Sequence, residues 1–148
     1  ATFDSEGVRT NAKDFVRQGV LDSYSLGSYA ARKLGMQTTG NAGGARNVVV
    51  DPEPGLSRTA LLESMGTGMV VTELMGQGIN MVTGDYSRGA AGYWVEQGEA
   101  QFPVEEVTIA GNLNDMFRQL VRVADDQDYS GSISTGSWML DRMTVAGE

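Results

Sequence analysis

Glycine occupies 20 of the 148 positions and recurs between short apolar segments. Only three prolines accompany these glycines, so the composition is not that of a low-complexity chain. Because glycine tolerates the positive φ angles of tight turns, its spacing predicts many short strands joined by turns. Helical segments interrupt the strands without a regular strand–helix–strand repeat, which favours an α+β fold. The expected fold is a curved, mostly antiparallel β-sheet or a barrel-like domain, with about three short helices.

The apolar pattern predicts those three helices. The first has an apolar face of Leu26, Tyr29, Ala30 and Leu34, and Gly35 follows its last turn. In the second, Ser57 serves as the N-cap and Gly66 follows the end, with Leu61, Leu62 and Met65 turned inward. The third and clearest spans residues 112–124 with Asn112 as its cap. Its apolar stripe consists of Leu113, Met116, Phe117, Leu120, Val121 and Ala124.

Strands account for most of the remaining apolar segments. Residues 13–24 read as a hairpin that turns at Gln18-Gly19, and Gln97-Gly98 reads as a second hairpin turn. Residues 38–44 are expected to form a loop, and residues 85–89 a turn between two strands. The other predicted strands are 46–50, 69–75, 79–83, 90–96, 100–102, 106–110, 133–135 and 138–145.

The charge and the missing residue types exclude several classes of function. The 11 basic and 19 acidic residues give a net charge of −8, without the basic face that a phosphate backbone requires. Direct binding of nucleic acid is therefore not expected. No apolar run approaches the ~20 residues of a membrane span, so no membrane partner is expected either. Without cysteine or histidine, the chain cannot supply a thiolate, an imidazole metal ligand or a Ser-His-Asp triad.

Three local patterns fall short of a functional site. Residues 126–131 resemble the start of a calcium loop, but position 12 would be Ser137 instead of a bidentate Glu, which favours a plain acidic turn. Glu105 and Glu106 are neighbours on a strand and should point to opposite faces, so they do not form a catalytic pair. The hydroxyl-rich segment 131–137 has no base to activate a nucleophile.

The segment Asp85-Tyr86-Ser87-Arg88-Gly89 supports two interpretations. Asp85 and Arg88 can simply close the turn between two strands, as polar residues do in many exposed turns. Tyr86 and Arg88 are also residue types that anchor protein interfaces. The sequence favours the structural role and leaves the second open.

Longer strings carry a family resemblance. ELMGQGINMVTGDYSRGA at 73–90 resembles the PmbA branch, also called TldE, of the TldD/PmbA peptidase family. SYAARKLGM at 28–36, TTGNAGG at 38–44, YWVE at 93–96, FPVEEVTIAGNL at 102–113 and MTVAG at 143–147 resemble it as well. The resemblance implies one β-rich C-terminal domain over residues 1–148. It also implies a fragment covering roughly the last third of a longer protein and reaching its natural C-terminus.

The resemblance implies a non-catalytic role. The family's catalytic branch, TldD, is a zinc peptidase whose His-Glu-x-x-x-His helix lies upstream of the matched region. A further ligand is a Cys in a Thr-Cys-Gly context near the C-terminus. The matching stretch here is Ser134-Thr135-Gly136, so a neutral hydroxyl stands where the thiolate would be. No cofactor is expected in this chain, and zinc is expected on a catalytic partner subunit.

The resemblance also implies a cytoplasmic TldD–PmbA complex that cleaves unfolded or leader peptides. Its roles would be maturation of a peptide antibiotic and degradation of an antitoxin. The expected partners are the TldD-type subunit and an extended peptide, with a homodimer as the assembly in isolation. The alternative is a non-proteolytic binding protein that modulates a target such as DNA gyrase. The residues expected to contact partner or peptide are Asn41, Asp85, Tyr86, Arg88 and Thr135.

Overall fold

The computed structural model describes residues 2–147, and the chain divides into two compact units, residues 1–48 and 49–148. There are three helices among the described residues: α1 (Ser28–Lys33), α2 (Arg58–Met65) and α3 (Leu113–Arg118). Strands are more extensive. They are β1 (Val16–Arg17), β2 (Val20–Leu21), β3 (Val48–Val49), β4 (Gly68–Met75), β5 (Asp85–Glu96), β6 (Glu99–Asn112), β7 (Leu120–Val123), β8 (Ile133–Ser134), β9 (Trp138–Leu140) and β10 (Thr144–Ala146).

The first unit contains little regular structure. The β1–β2 hairpin turns at Gln18-Gly19, where both residues have positive φ (51° and 78°). Helix α1 ends before Gly35, which adopts a φ of 64°. Hydrogen bonds join Leu26 to Thr39, because the Leu26 N–H donates to the Thr39 hydroxyl at 2.8 Å and the Thr39 N–H donates back to the Leu26 carbonyl at 3.1 Å. The loop is thereby fastened beside the start of α1.

A four-stranded antiparallel sheet forms the centre of the second unit. Its order is β10-β6-β5-β4, so that β4 and β10 are its edges. Strands β5 and β6 are joined by the tight turn Gln97-Gly98, with φ of 53° and 80°. Both of these strands are long, at 12 and 14 residues, and bulges interrupt their register. Such bulges increase the twist and curvature of a sheet.

Two apolar clusters are buried in the second unit. One lies on the sheet and consists of Tyr86, Ala90, Val107 and Ile109, with Met116 and Met143 among the half-buried residues packed against it. The other consists of Leu56, Leu61 and Ala124. The backbone N–H of Ala124 donates to the Ser137 carbonyl at 2.8 Å, which ties the second cluster to the segment before β9.

The predicted α+β class, with mostly antiparallel strands and three helices, is confirmed. Of the two sheet forms that the sequence allowed, the structure has open sheets. The caps predicted at Ser57 and Asn112 are also present, because the Ser57 hydroxyl accepts from the Ala60 N–H and the Asn112 side chain accepts from the Asn114 N–H. Within residues 2–147, no helix is both long and apolar enough to cross a bilayer.

The predicted third helix is wrong beyond Arg118. Residues 120–123 form β7, which pairs antiparallel with β9, while Phe117 and Val121 of the predicted stripe are 63% and 53% exposed. The apolar face predicted for the first helix is wrong at two of its four positions, since Leu26 is buried and Ala30 is half-buried. Tyr29 and Leu34 are exposed, and Ala31 is the residue of α1 that is buried.

Three predictions around the sheet also need correction. Residues 85–89 form the first part of strand β5 instead of a turn, and the turn lies earlier, at 81–83, where a strand was predicted. The predicted strand 138–145 is split into β9 and β10. Strand β6 runs unbroken where two strands were predicted, and the register shifts opposite Glu105 and Glu106, with Glu106 at a φ of 55°. The bulge interrupts the regular alternation of side chains on which the predicted opposite orientation of Glu105 and Glu106 was based.

Candidate functional site

The five candidate residues lie in three places. Asp85, Tyr86 and Arg88 are on β5, at the end of the sheet nearest the turn. Thr135 directly follows β8, and it shares no hydrogen bond with the β5 residues. Asn41 belongs to the first unit. Within the second unit, the structure therefore places Asp85, Tyr86 and Arg88 on one strand and Thr135 elsewhere.

A set of polar side chains fixes the start of β5. The Asp85 carboxylate accepts from the Thr83 hydroxyl at 2.6 Å and from the Asn112 side-chain amide at 3.4 Å. Asp85 and Asn112 are register partners in the β5–β6 ladder, which explains why their side chains meet. The same amide donates to the Thr83 carbonyl at 3.0 Å. Asn112 thus joins the cap of α3 to the turn before β5.

Asn80 holds the turn itself. Its side-chain oxygen accepts from the N–H groups of Val82 and Thr83 at 2.9 and 3.1 Å, and its carbonyl accepts from the Gly84 N–H at 2.8 Å. The turn is well fixed, although it presents Met81 and Val82 to solvent with 82% and 94% exposure. Sequence reasoning missed Asn80 and Asn112 as organisers of this site. Asparagine just before a turn, with Thr and Gly after it, was the available signal.

Tyr86 and Arg88 share the other face of β5, because side chains alternate along a strand. Tyr86 is 9% exposed and packs in the sheet cluster. Arg88 is half-buried, and one of its terminal nitrogens donates weakly to the Leu74 carbonyl at 3.4 Å. Its Nε is buried without a hydrogen-bond partner in the described part of the chain. The unsatisfied N–H of this guanidinium can donate a charge-assisted hydrogen bond to a carbonyl or carboxylate oxygen.

Thr135 has its hydroxyl engaged by the protein. The Trp138 indole N–H donates to the Thr135 hydroxyl at 2.6 Å. The same hydroxyl donates to the Gly136 carbonyl at 3.3 Å. The backbone of Thr135 pairs with Asp128 in an isolated bridge. No space remains beside Gly136, because a Cβ there would lie 1.9 Å from the Ala124 carbonyl.

The residues present do not fit a zinc ion. Zinc sites in proteins use thiolate, imidazole and carboxylate ligands, and this chain has neither cysteine nor histidine. Residues 2–147 contain no group of three acidic side chains placed to hold a metal. The carboxylate of Asp126 is satisfied by the backbone N–H and hydroxyl of Ser137, each at 2.7 Å. The hydroxyl of Thr135, occupied by Trp138, offers no replacement for a thiolate.

Asn41 organises the loop of the first unit. Its side-chain oxygen accepts from Lys13 Nζ at 2.8 Å and from the Thr39 hydroxyl at 2.9 Å. Lys13 also donates to the Thr39 carbonyl. The Asn41 side chain is therefore already hydrogen-bonded within its own unit.

Asp4 is the buried polar residue of the described chain, and sequence reasoning did not identify it. Its carboxylate accepts from the N–H groups of Glu6 and Val8, both at 2.9 Å, and of Ala42 at 3.0 Å. Burial acts to raise the pKa of Asp4, but these three hydrogen bonds and the positive charge of Arg46 together outweigh it, so the pKa is lowered from its ordinary value of 3.8. A single carboxylate near the N-terminus gave no periodic or spacing signal.

Comparisons with known proteins agree with this architecture. Residues 1–147 match the PmbA/TldA metallopeptidase C-terminal domain. The chain is 54% identical to a metalloprotease PmbA homolog of Haemophilus influenzae, covering 98% of this chain and 32% of that protein. It is 55% identical to the metalloprotease PmbA of Escherichia coli O157:H7, with 99% and 32% covered. The chain thus spans about a third of the length of these relatives.

A solved structure shares the fold. The crystal structure of a proposed modulator of a DNA gyrase from Thermotoga maritima superposes with a TM-score of 0.90 at 38% identity, over 99% of this chain and 35% of that one. Fold, domain match and identity to curated relatives all point to one group. The chain belongs to the TldD/PmbA metallopeptidase family, in which it corresponds to the C-terminal region of the PmbA branch.

Proposed function

We propose that the chain is the PmbA-type, non-catalytic part of a TldD–PmbA zinc-dependent peptidase complex that cleaves unfolded or leader peptides in the cytoplasm. One observation carries the proposal: Thr135 stands where the family's catalytic branch has its cysteine ligand, and its hydroxyl is already hydrogen-bonded by Trp138. The zinc and the cleavage chemistry would then reside on a TldD-type partner. Maturation of a peptide antibiotic and degradation of an antitoxin are the expected roles of such a complex.

The sheet offers a physical means of holding an extended peptide. Strands β4 and β10 are its edges in the described chain, and the exposed backbone groups of an edge strand can pair with an added strand. Arg88 lies beside β4 through its hydrogen bond to Leu74, with the Nε still unsatisfied. Asp85 and Arg88 are proposed to contact partner or peptide directly, while Tyr86 supports them from the sheet cluster. Asn41 and Thr135 complete the proposed contact set.

The proposal is tested by isolating the tagged protein from its own cells, then identifying bound proteins by mass and measuring bound metal. We expect a sibling chain with a His-Glu-x-x-x-His motif and about one zinc per pair. Cleavage of an unfolded peptide should require both subunits. Cleavage by the sibling alone at the rate of the complete complex would contradict the proposal. Recovery of this protein with neither sibling nor metal would contradict it as well.

A matched pair of variants tests the contact residues. Arg88→Gln removes the half-buried guanidinium beside β4, whereas Arg17→Gln removes an exposed one in the β1–β2 hairpin. Cleavage by the complex should fall with Arg88→Gln and stay unchanged with Arg17→Gln. Equal cleavage by both variants would remove Arg88 from the contact set.

A second candidate is a non-proteolytic binding protein that modulates DNA gyrase. The description of the Thermotoga maritima relative favours it. With a net charge of −8, such a protein would act by contacting gyrase and not DNA. The candidate predicts altered gyrase supercoiling in the absence of any TldD-type sibling. No effect on purified gyrase at high protein excess would exclude it.

A further inference from the structure

A small cavity lies between the end of β6, helix α3 and the segment that leads into β10. Its volume is about 220 Å³, which is below the ~300–1,000 Å³ of pockets that take drug-sized ligands. It shares Asn112 with the β5 site and is otherwise built from different residues. The cavity is therefore sized for a small group such as a single amino-acid unit.

Arg142 provides a free positive charge in this cavity. Its side chain is exposed and has no ion pair or hydrogen bond within residues 2–147. The residue before it is anchored, because the Asp141 N–H donates to the Gln119 carbonyl at 2.9 Å. The segment carrying Arg142 is thus held next to the end of α3, where Gln119 also lines the cavity.

Asp115 provides the opposite charge on the helix side. Its ion pair is with Arg118, at 4.0 Å and with both side chains largely exposed, which is a weak interaction in water. Asp115 and Arg142 line the same cavity without forming an ion pair with each other. The cavity is therefore lined by one cation and one anion that are not paired with each other.

The floor of the cavity is apolar. Met116 of α3 and Met143 before β10 line it, and both are half-buried against the sheet cluster. Methionine side chains adapt to apolar groups of varied shape. A ligand thus meets charged and amide groups on the walls and a flexible apolar surface below.

We propose that this cavity binds the free α-carboxylate of an amino-acid unit with an apolar side chain. The Arg142 guanidinium takes the carboxylate through charge-assisted hydrogen bonds, and the Gln119 amide supplies a further donor. The apolar side chain packs on Met116 and Met143. A phosphate is disfavoured, because a single cation faces it and Asp115 would repel its greater negative charge. The site goes beyond the proposed function and does not depend on a peptidase partner.

The carboxylate can come from a free amino acid or from the C-terminus of a peptide. Three probes separate these sources: the tripeptide Ala-Ala-Leu as the free acid, the same tripeptide as its C-terminal amide, and free leucine. Binding is followed by NMR of the full chain with labelled methionine methyl groups. The methyls of Met116 and Met143 should shift, while that of the exposed Met81 should stay in place and serve as the internal control.

The expected result is binding of a carboxylate-bearing probe and at least tenfold weaker binding of the tripeptide amide. Measurable binding of the tripeptide acid and its amide with equal affinity would overturn the proposal, as would the absence of any shift with all three probes at millimolar concentration. The Arg142→Gln variant should also bind at least tenfold more weakly. Its matched control is Arg17→Gln, which removes an exposed arginine that neither lines the cavity nor pairs with a residue lining it. Equal loss in both variants would count against a site at Arg142.

Asp115→Asn then identifies the source. A free amino acid places its ammonium group near the carboxylate, so its binding should weaken when Asp115 becomes neutral. A peptide has an amide at that position, so its binding should hold or tighten as repulsion of the ligand carboxylate falls. Either pattern supports the carboxylate site, whereas weaker binding of the tripeptide acid would contradict it, because removal of a negative charge beside a bound carboxylate should not weaken its binding.

Discussion

The two units of the chain differ in the kind of contact that organises their buried groups. In the first unit, the carboxylate of Asp4 is buried at 7% exposure and holds three backbone N–H groups. Many large apolar side chains of that unit are exposed, including Val16, Val20 and Leu21 at 61%, 68% and 58%. The conformation of its loops thus depends on the hydrogen bonds that converge on the Asp4 carboxylate.

The second unit is organised by apolar burial on a regular sheet. Ala90 and Val95 are fully buried, and Ile109 is 6% exposed. Close backbone approach is part of this packing, since a Cβ on Gly92 would lie 1.8 Å from the Val70 carbonyl of the neighbouring strand. The contrast indicates that the stability of the second unit depends on side-chain volume in its sheet. The loop conformation of the first unit depends instead on the charge and shape of the Asp4 carboxylate.

The largest expected effect is on the sheet. Gly92→Ala places a methyl group against the Val70 carbonyl, where only backbone movement can relieve the clash. We expect a loss of about 3 kcal/mol in the free energy of unfolding, because overpacking costs about 1–3 kcal/mol and a clash with backbone belongs at the upper end of that range. The midpoint of urea unfolding, followed by circular dichroism, measures it.

Gly131→Ala is the matched control for that variant. An added Cβ there would lie 3.9 Å from the nitrogen of Ile133, in ordinary van der Waals contact. Its effect should stay within about 0.5 kcal/mol. Equal midpoints for the two variants would show that the sheet tolerates added volume, and the contrast between the units would fail.

The next effect concerns Asp4 in the first unit. Asp4→Asn keeps the shape of the side chain, but only one of its two terminal groups can still accept. At least one of the N–H groups of Glu6, Val8 and Ala42 then faces the NH₂ group of the new asparagine, which is also a donor, and loses its hydrogen bond. Hydrogen exchange at these amides should become faster, as measured by NMR. Asp14→Asn, which changes an exposed carboxylate paired with Arg17 in the same unit, should leave them unchanged.

Local signals in the sequence predicted the caps and turns well. Ser57 caps α2 and Gly66 follows it, and both Gln-Gly pairs form hairpin turns with positive φ at each position. These features depend on a few adjacent residues and on backbone sterics, so a single sequence contains them. The fold class followed from the same signals.

Features set by distant partners were not predicted. The stripe at residues 113–124 has helical spacing, yet its second half pairs with β9, which lies about 15 residues later. That strand pairing determines the outcome, since propensity is only a weak preference that tertiary contacts override. At the candidate site, the sequence indicated Thr135 as a substituted ligand position. It could not show that the Trp138 indole donates a hydrogen bond to the Thr135 hydroxyl, or that the Asn112 side chain donates one to Asp85.

A pH titration sharpens the role of Asp4. Its pKa is lowered on folding, so the ionised form contributes stability above the ordinary value of 3.8 and that contribution is lost as the pH falls through the lower folded value. Exchange protection of the Ala42 amide should therefore decline below pH 4 in the wild-type chain. It should change less in Asp4→Asn, which has no carboxylate at that position. Parallel profiles for the two proteins would contradict the assigned role.

The smallest effect is expected at the exposed ion pair between Glu53 and Arg122 in the second unit. The Arg122 side chain hydrogen-bonds the Glu53 carboxylate and lowers its pKa, and the pair raises the pKa of Arg122 in return. Glu53 is also held by its backbone, whose N–H donates to the Val123 carbonyl at 2.9 Å. Arg122→Gln should lower the urea midpoint slightly at low salt and not at 1 M NaCl, where the screening length is only about 3 Å. Arg118→Gln, whose partner lies 4.0 Å away, should have no effect at either salt concentration. A loss with Arg122→Gln that persists at 1 M NaCl and approaches that of Gly92→Ala would mean that a surface charge, and not apolar packing alone, holds the second unit together.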